Sequence, residues 1–465
     1  MNIYGIDVNI KNVPSLDKTF TPIVAFNKAY LAGAKKPFAV AVERANKQVA
    51  VYDTFVYGTP EMAAADNYFA DRMVKFLLWA KGGFKVTVSG DESIYNYIKD
   101  AYSPNGSRAF DFNFMQNVYE TPFEVCYTSY EDRPQQNEQS KPMGKHMDGY
   151  RIGFDAGGSD RKVSAVVNGE SIFSEETVWN PKITADPEYH YEGILDSFRK
   201  AAAKMPTVDA IGVSSAGIYI NNRTMVASLF LKVPKAEGGA EPEAVKNIYN
   251  RAAETLSKEI GKPLPIEVAN DGDVSAIAGA MGLNDNQVMG IAMGTSEAVG
   301  YVDKDGNITG WLSELAFAPV DAQPEAMEDE WSGDIGCGVK YFSQDGIIKL
   351  AGYAGIELPD DTPANKLKVV QKMMLEDDPR AIEVYKSTGV YLGHALAYYA
   401  DFYDIKHVLL LGRVTSGKGG DIVLAETNKV LAEEYPELSI NVQMPDEKTR
   451  RVGQSAAAAS LPAIG

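Results

Sequence analysis

Apolar and polar positions alternate with a period of two early in the chain. The runs FAVAVE and QVAVYDTFV, between residues 38 and 56, read as paired strands joined by a turn at Ala45-Asn46-Lys47. A helix is predicted from Thr59-Pro60-Glu61, with threonine as cap and proline in the first turn. It runs to Lys81, where Gly82-Gly83 stops it. The strand FKVTVS and a helix from Asp91 to Tyr102 follow, whereas the first forty residues keep no single period. From Glu131 to Gly149 the chain (EDRPQQNEQSKPMGKHMDG) has almost no apolar content, the pattern of a linker. Beyond it the alternation returns. Strands are predicted over 151–155, 163–167, 170–174, 209–214 and 264–268, with helices over 191–204 and 241–260. A helix rich in small residues runs from Asp271 to Met281. Strands over 288–293 and 297–303, helices over 364–375, 378–402 and 421–434, and a buried strand over 407–412 complete the pattern. Hairpins that feed alternating helices and strands predict an α/β fold with mixed sheets.

Composition narrows the function. At 465 residues, 45% of them apolar, the chain is long enough for two or three domains. The net charge of −18 is uneven: residues 1–150 carry 16 Lys and Arg against 17 Asp and Glu, and the remainder 29 against 46. Such an acidic surface disfavours nucleic-acid binding, which needs clustered cations. Two cysteines, Cys126 and Cys337, are too few for a disulfide framework, and the four histidines show no metal-ligand spacing. No apolar run is long enough to span a bilayer, and MNIYGIDVNIKNVP lacks the basic and apolar segments of a secretory signal. The expectation is a cytoplasmic protein with neither membrane nor nucleic acid as partner.

Four segments could carry chemistry. In the first, the apolar run Ile152-Gly153-Phe154 ends on Asp155, and Ala156-Gly157-Gly158-Ser159 follows before a second alternating run and the turn Asn168-Gly169. That is a hairpin whose tip lets backbone N–H groups approach an anion, beside an acid able to hold Mg²⁺. In the second, a strand ends on Asn270-Asp271 and a helix begins. The pair reads either as a helix cap or as an amide that orients a hydroxyl and a carboxylate that takes its proton. The third, Gly294-Thr295-Ser296 between two strands, offers further N–H and hydroxyl donors. The fourth is Gly412-Arg413-Val414-Thr415-Ser416-Gly417-Lys418-Gly419-Gly420, a glycine-rich loop after a buried strand, able to lie flat against a purine. Arg413 and Lys418 read as solvated tips. No P-loop lysine motif is present.

In this order the segments resemble the actin, Hsp70 and hexokinase superfamily, and residues 150–465 resemble the repressor–ORF–kinase (ROK) sugar kinases. The family's Asp-x-Gly-Gly-Thr tip is matched by Asp155 to Ser159 and its Glu-Asn-Asp-Ala-Asn segment by Ala269-Asn270-Asp271-Gly272-Asp273. Its Gly-Thr-Gly turn is matched by Gly294-Thr295-Ser296, and its Gly-Glu-x-Gly-His segment by Ser313-Glu314-Leu315-Ala316-Phe317. The resemblance implies a two-lobed, ribonuclease H-like fold with mixed five-stranded sheets, its lobes at 150–268 and 269–465. It implies ATP and Mg²⁺ as cofactors, and a sugar or sugar derivative whose hydroxyl receives the γ-phosphate. Asp271 would be the general base, Asn270 and Glu314 sugar contacts, and Asp155 the Mg²⁺ ligand. Gly157, Gly158, Ser159, Gly294, Thr295 and Ser296 would hold phosphates, and Gly412, Gly417 and Gly419 the adenosine. The family's zinc ligands are largely replaced: Phe317 stands at the histidine position and Cys337 alone remains of the cysteines, so no zinc is expected. Val339 falls where many members have a second sugar-binding glutamate. These departures keep open a non-catalytic sugar-binding regulator or pseudo-kinase, and a homodimer also stays open.

Residues 1–149 lie outside the family pattern and read as an extra α/β domain. The element order over 38–102 echoes that over 151–215, with Val42-Glu43-Arg44-Ala45 where the acid-glycine tip stands, so the extra domain reads either as a degenerate ribonuclease H-like copy or as an unrelated α/β segment.

Overall fold

The alternating runs form the predicted hairpins, and three main sheets result. The computed structural model describes residues 1–445 and 453–464. The N-terminal sheet has the order Gln48–Val56, Lys36–Arg44, Lys85–Ser89, Glu124–Thr128. Its first two pairings are antiparallel and its third is parallel. The sheet of the first lobe has the order Ile266–Asn270, Ala210–Ser215, Tyr150–Ala156, Asp160–Val167, Glu170–Val178. Here the strand leading to the hairpin tip is parallel to Ala210–Ser215. The corresponding pair in the N-terminal sheet is antiparallel, so the echo in element order does not extend to strand direction.

The sheet of the second lobe has the order Glu297–Val302, Val288–Met293, His407–Leu411, Asn441–Gln443, and helix Asp271–Leu283 packs on its first two strands. It has four strands among the described residues, not the five expected. Helices Pro379–Tyr399 and Lys418–Glu434 pack side by side against it. The predicted helix over 241–260 is broken at Asn247 into Glu243–Lys246 and Ile248–Ile260. The hairpin Gly217–Ile220 and Arg223–Ala227, the helix Ala109–Tyr119 and the helix Gln344–Tyr353 were not predicted. Among the described residues, no helix is long and apolar enough to cross a membrane.

The C-terminal helix Gln454–Ala459 returns to lie across the first-lobe sheet. Gly153 and Gly212 make this possible. A Cβ on either would overlap a backbone oxygen of that helix, Ser455 O or Ala458 O.

Residues 1–149 are not a bead on a string. Helix Ala63–Ala80 is buried along most of its length. Phe76 packs on Tyr398 and Phe402, with ring centroids 4.5 and 4.2 Å away. One apolar core therefore runs from the N-terminal sheet into the second lobe. The seam also buries charge. Asp334 accepts from Arg72 Nη2 at 3.0 Å and Arg108 Nη1 at 2.5 Å, and Lys75 Nζ reaches Asp111 Oδ1 at 2.7 Å. Burial works against the Asp334 carboxylate, yet Arg72 and Lys75 hold its pKa below the ordinary range. Contacts to the first lobe are lighter. Glu120 pairs with Arg223 and Lys246, each at 2.6 Å, beside a small cluster of Val118, Ile218 and Met225.

The polar segment 131–149 is a strap rather than a free linker. It forms isolated bridges, Val49 with Asn137 and Lys141 with Ile308, and Gly144 N and His146 N donate to Leu461 O and Ser460 O. Its side chains supply hydrogen bonds, not apolar burial, which is why its composition reads as unstructured.

Asp334→Asn should leave three buried cations, Arg72, Lys75 and Arg108, sharing only Asp71 and Asp111. The expected cost is about 3–5 kcal/mol, read as a lower midpoint in guanidinium denaturation. An unchanged midpoint would show that the seam does not depend on this carboxylate.

Candidate functional site

Strand Tyr150–Ala156 carries Asp155 to its end, and Gly157, Gly158 and Ser159 form the open tip. Trp179 holds the tip from below: its indole N–H donates to Gly157 O at 2.8 Å and its backbone N–H to Ser159 O at 3.1 Å. Ser159 Oγ donates to Asp160 Oδ2 at 2.9 Å, so its hydroxyl proton is committed. Lys182 lies alongside; a Cβ on Gly158 would stand 3.1 Å from Lys182 Nζ. Burial pushes the Asp155 carboxyl up to about 6 against the opposing hydrogen bond from Ser214, and the charge of Asp271 adds to the rise.

Ser214 Oγ donates to Asp155 Oδ1 at 2.9 Å. Gln454 Nε2, from the returning C-terminal helix, donates to Ser214 Oγ at 3.2 Å and to Asp271 O at 2.6 Å. Gln454 Oε1 accepts from Ser275 Oγ at 3.1 Å. One amide thus joins the hairpin that carries Asp155 to the first turn of helix Asp271–Leu283.

Asn270 and Asp271 sit at the junction of strand Ile266–Asn270 and helix Asp271–Leu283. Asn270 takes the place of a helix cap. Its Oδ1 caps the helix by accepting from Gly272 N at 2.7 Å, its Nδ2 donates to Gly217 O at 2.8 Å, and the residue also lines a cavity. Asp271 Oδ1 accepts from Gly272 N at 3.1 Å, and burial raises its pKa.

Behind Asp271 lies a chain of acids. Asp273 is held at about 7 by burial, partly offset by Tyr301 N donating at 3.2 Å and reinforced by Asp271. Glu314 is pushed to about 8 by burial and then by Asp271 and Asp273. Glu297 is pushed to about 8 by burial and then by Glu314. Neither carboxyl oxygen of Glu297 has a hydrogen-bond partner among the described residues. Glu297 and Glu314 are therefore predominantly protonated at neutral pH, hydrogen-bond donors rather than anions, while Asp273 is about half protonated.

The second turn and the glycine loop come together. Arg413 Nη2 donates to Thr295 Oγ1 at 3.0 Å, and Val414 N to Met293 O at 3.0 Å. Gly294 N donates to Ser296 O and Gly294 O accepts from Gln344 N, both at 2.9 Å, leaving Thr295 and Ser296 exposed at the tip. Gly412 and Gly417 are exposed with φ of +95° and +70°. Gly419 is different: it is buried, and a Cβ there would overlap the ring of Tyr385, so its place is a core contact rather than a ligand surface. Among the described residues no group of three or more His, Cys, Asp and Glu is arranged to hold a metal ion. Phe317 packs in tilted contact with Trp79 and Trp331, ring centroids 4.9 and 4.6 Å away, and Cys337 Sγ lies 3.5 Å from Phe317 O.

Two cavities lie near the helix that Asp271 opens, and Asp271 itself is in the wall of neither. One, of about 370 Å³, lies between Ser275, Gly279, Gly412, Thr415 and Gln454. The other, of about 380 Å³, has Asn270 and Asp273 in its wall and is roofed by residues of the N-terminal unit and the strap.

No protein-family model matches the sequence, and no curated protein matches it. Solved structures do. The ROK hexokinase of Thermus thermophilus superposes with a TM-score of 0.50 at 18% identity, over 67% of this chain and 97% of its own. A ROK family transcriptional regulator, a homolog of the E. coli MLC protein, superposes with a TM-score of 0.51 at 17% identity, over 71% of this chain and 81% of its own. The fold is that of the ROK proteins. At these identities the likeness establishes architecture, and the two neighbours have different activities.

The sequence pointed to Asp155, Asn270, Asp271, Glu314 and the three turns. It did not point to Ser214, Gln454, Lys182 or Glu297. Glu297 supplies a test. Its carboxyl titrates near 8 when folded and at about 4.3 unfolded. Between those values the folded state binds the extra proton, so stability falls as pH rises. Glu297→Gln should therefore raise Tm more at pH 8 than at pH 5. A gain independent of pH would show that Glu297 titrates normally.

Proposed function

We propose that this chain is an ATP-dependent kinase that phosphorylates a hydroxyl of a sugar or sugar derivative. The observation that carries the reading is the linkage Asp155–Ser214–Gln454–Asp271, which ties a phosphate-type hairpin and an acid at a helix start across the cleft between lobes. The donor set suits a triphosphate. Two exposed turns each have a cation beside them, Lys182 at Gly158 and Arg413 at Thr295, and the Gly412–Gly417 loop is open for a nucleoside.

In this reading Asp271 accepts the proton of the acceptor hydroxyl as its oxygen attacks the γ-phosphorus, and the bond to ADP breaks in line. Lys182, Arg413 and the backbone N–H groups of the turns stabilise charge on the transferring phosphoryl group. Asp155 is the residue that would hold Mg²⁺, which supplies further neutralisation of phosphate charge when bound. Ser214 fixes the orientation of Asp155, and Gln454 fixes the backbone from which Asp271 projects. Glu314, protonated at neutral pH, serves as a donor to the acceptor's oxygens.

Asp271→Asn should lower turnover by roughly 10²–10⁴-fold with little change in ATP affinity, measured by coupled ADP release over a panel of hexoses, amino sugars and polyols. Activity of the unaltered enzyme should fall as pH drops through about 6, where Asp155 takes up a proton. Full turnover in Asp271→Asn would remove the base. Sugar binding by the unaltered protein without ADP release would replace the kinase reading with a sugar-responsive regulator of the same fold.

A further inference from the structure

The 380 Å³ cavity is enclosed by three parts of the chain. The N-terminal unit supplies Tyr119, the first lobe Ile218, and the second lobe Asp273, Trp311 and Leu312. At its rim Asn46 Nδ2 donates to Asn221 Oδ1 at 3.3 Å, which bridges the N-terminal unit to the first lobe. The volume is within the range of small-molecule sites. The cavity stands apart from the proposed transfer machinery. Asp155, Asp271, Glu314 and the turns at 157–159 and 294–296 all lie outside its wall. Asn270 does touch it, but both ends of that amide are engaged, with Gly272 N and with Gly217 O.

Two polar groups of this wall lack partners. Asp273 is only 9% exposed. Its Oδ1 accepts from Tyr301 N at 3.2 Å, while its Oδ2 accepts from no described residue. Unlike the carboxyl oxygens of Glu297, Oδ2 is not sealed off. It keeps accessible surface, and this cavity is the space beside the residue. The Tyr119 hydroxyl is the second group. It lies against Gly82 and Leu312, has no hydrogen-bond partner among the described residues, and is likewise not sealed.

The charge of the wall asks for no ionic ligand. Arg44 is paired with Glu138 at 2.8 Å, and Lys141 is exposed. Burial holds Asp273 at about 7, so its carboxyl is about half protonated at neutral pH. A carboxyl oxygen without a donor and a phenol without an acceptor are both satisfied by hydroxyl groups, which donate and accept. Ile218, Trp311 and Leu312 suit the C–H surface of a ring that carries such hydroxyls.

We propose that this cavity is a second small-molecule site, for a neutral polyhydroxylated ligand such as a sugar or cyclitol, held by hydroxyl contacts to Asp273 and Tyr119. The N-terminal unit thereby completes a site that the two lobes alone leave open. The inference goes beyond the kinase reading and needs no nucleotide.

The experiment is isothermal titration calorimetry of the full chain, without nucleotide, against D-glucose, N-acetyl-D-glucosamine and myo-inositol. At least one of the three is expected to bind. Tyr119→Phe, which removes one oxygen and keeps the ring, and Asp273→Asn, which turns the free acceptor into a donor, should each weaken that binding about 3–10-fold. Asp271→Asn should leave it unchanged, because Asp271 is outside the wall. No binding of any of the three would overturn the proposal. So would binding that Tyr119→Phe does not weaken, or that Asp271→Asn weakens as much. Tyr119→Phe decides the matter even where Asp273→Asn does not fold. ADP release with one of these compounds but no binding sensitive to Tyr119 would keep the kinase and remove this site; binding sensitive to Tyr119 without ADP release would do the reverse.

Discussion

The close approach of the C-terminal helix to the first-lobe sheet is the constraint on which the site depends. Gly153 and Gly212 leave the sheet surface bare, the helix settles directly on strand backbone, and Gln454 arrives within reach of Ser214 and Asp271. A side chain at either glycine would lift the helix and withdraw the amide. Asp155 would keep its place at the strand end but lose the brace behind its serine partner. Asp271 would keep its helix but not the contact that fixes its backbone relative to the other lobe. The spacing between the two acids is thus set by residues that touch neither.

The second organising feature is the buried seam between residues 1–149 and the second lobe. Ionic groups taken from water are tolerated only when each finds an opposite charge. Asp71, Arg72, Lys75, Arg108, Asp111 and Asp334 do so within one network. Around it, Trp79 and Phe76 bury their rings against Phe317, Tyr398 and Phe402. Phe317 and Cys337, which stand where the resembling family has zinc ligands, lie beside this aromatic packing and ion pairing.

Much of this was legible in the chain. The alternation around Asp155, the Asn-Asp pair at a strand end and the order of the turns are local patterns, and local patterns survive in sequence. Hairpin Gly217–Ala227 had a readable signal, Asn221-Asn222 between apolar runs, that went unused. Other features had none. Glu297 opens a strand of ordinary appearance, and the groups that face it, Glu314, Gly338 and Tyr399, come from other elements of the chain. Gln454 sits in an alanine-rich run that reveals nothing about what faces it. Segment 131–149 looked like a tether because its anchoring uses polar groups, which composition cannot distinguish from solvation.

The unequal attachment of the N-terminal unit has a mechanical consequence. Toward the second lobe it is welded by a shared core; toward the first it holds by Glu120 with Arg223 and Lys246 and by a handful of apolar side chains. Partly exposed ion pairs contribute about 0–1 kcal/mol each and re-form readily. A rotation of the first lobe would therefore strain these lighter contacts before it strained the shared core.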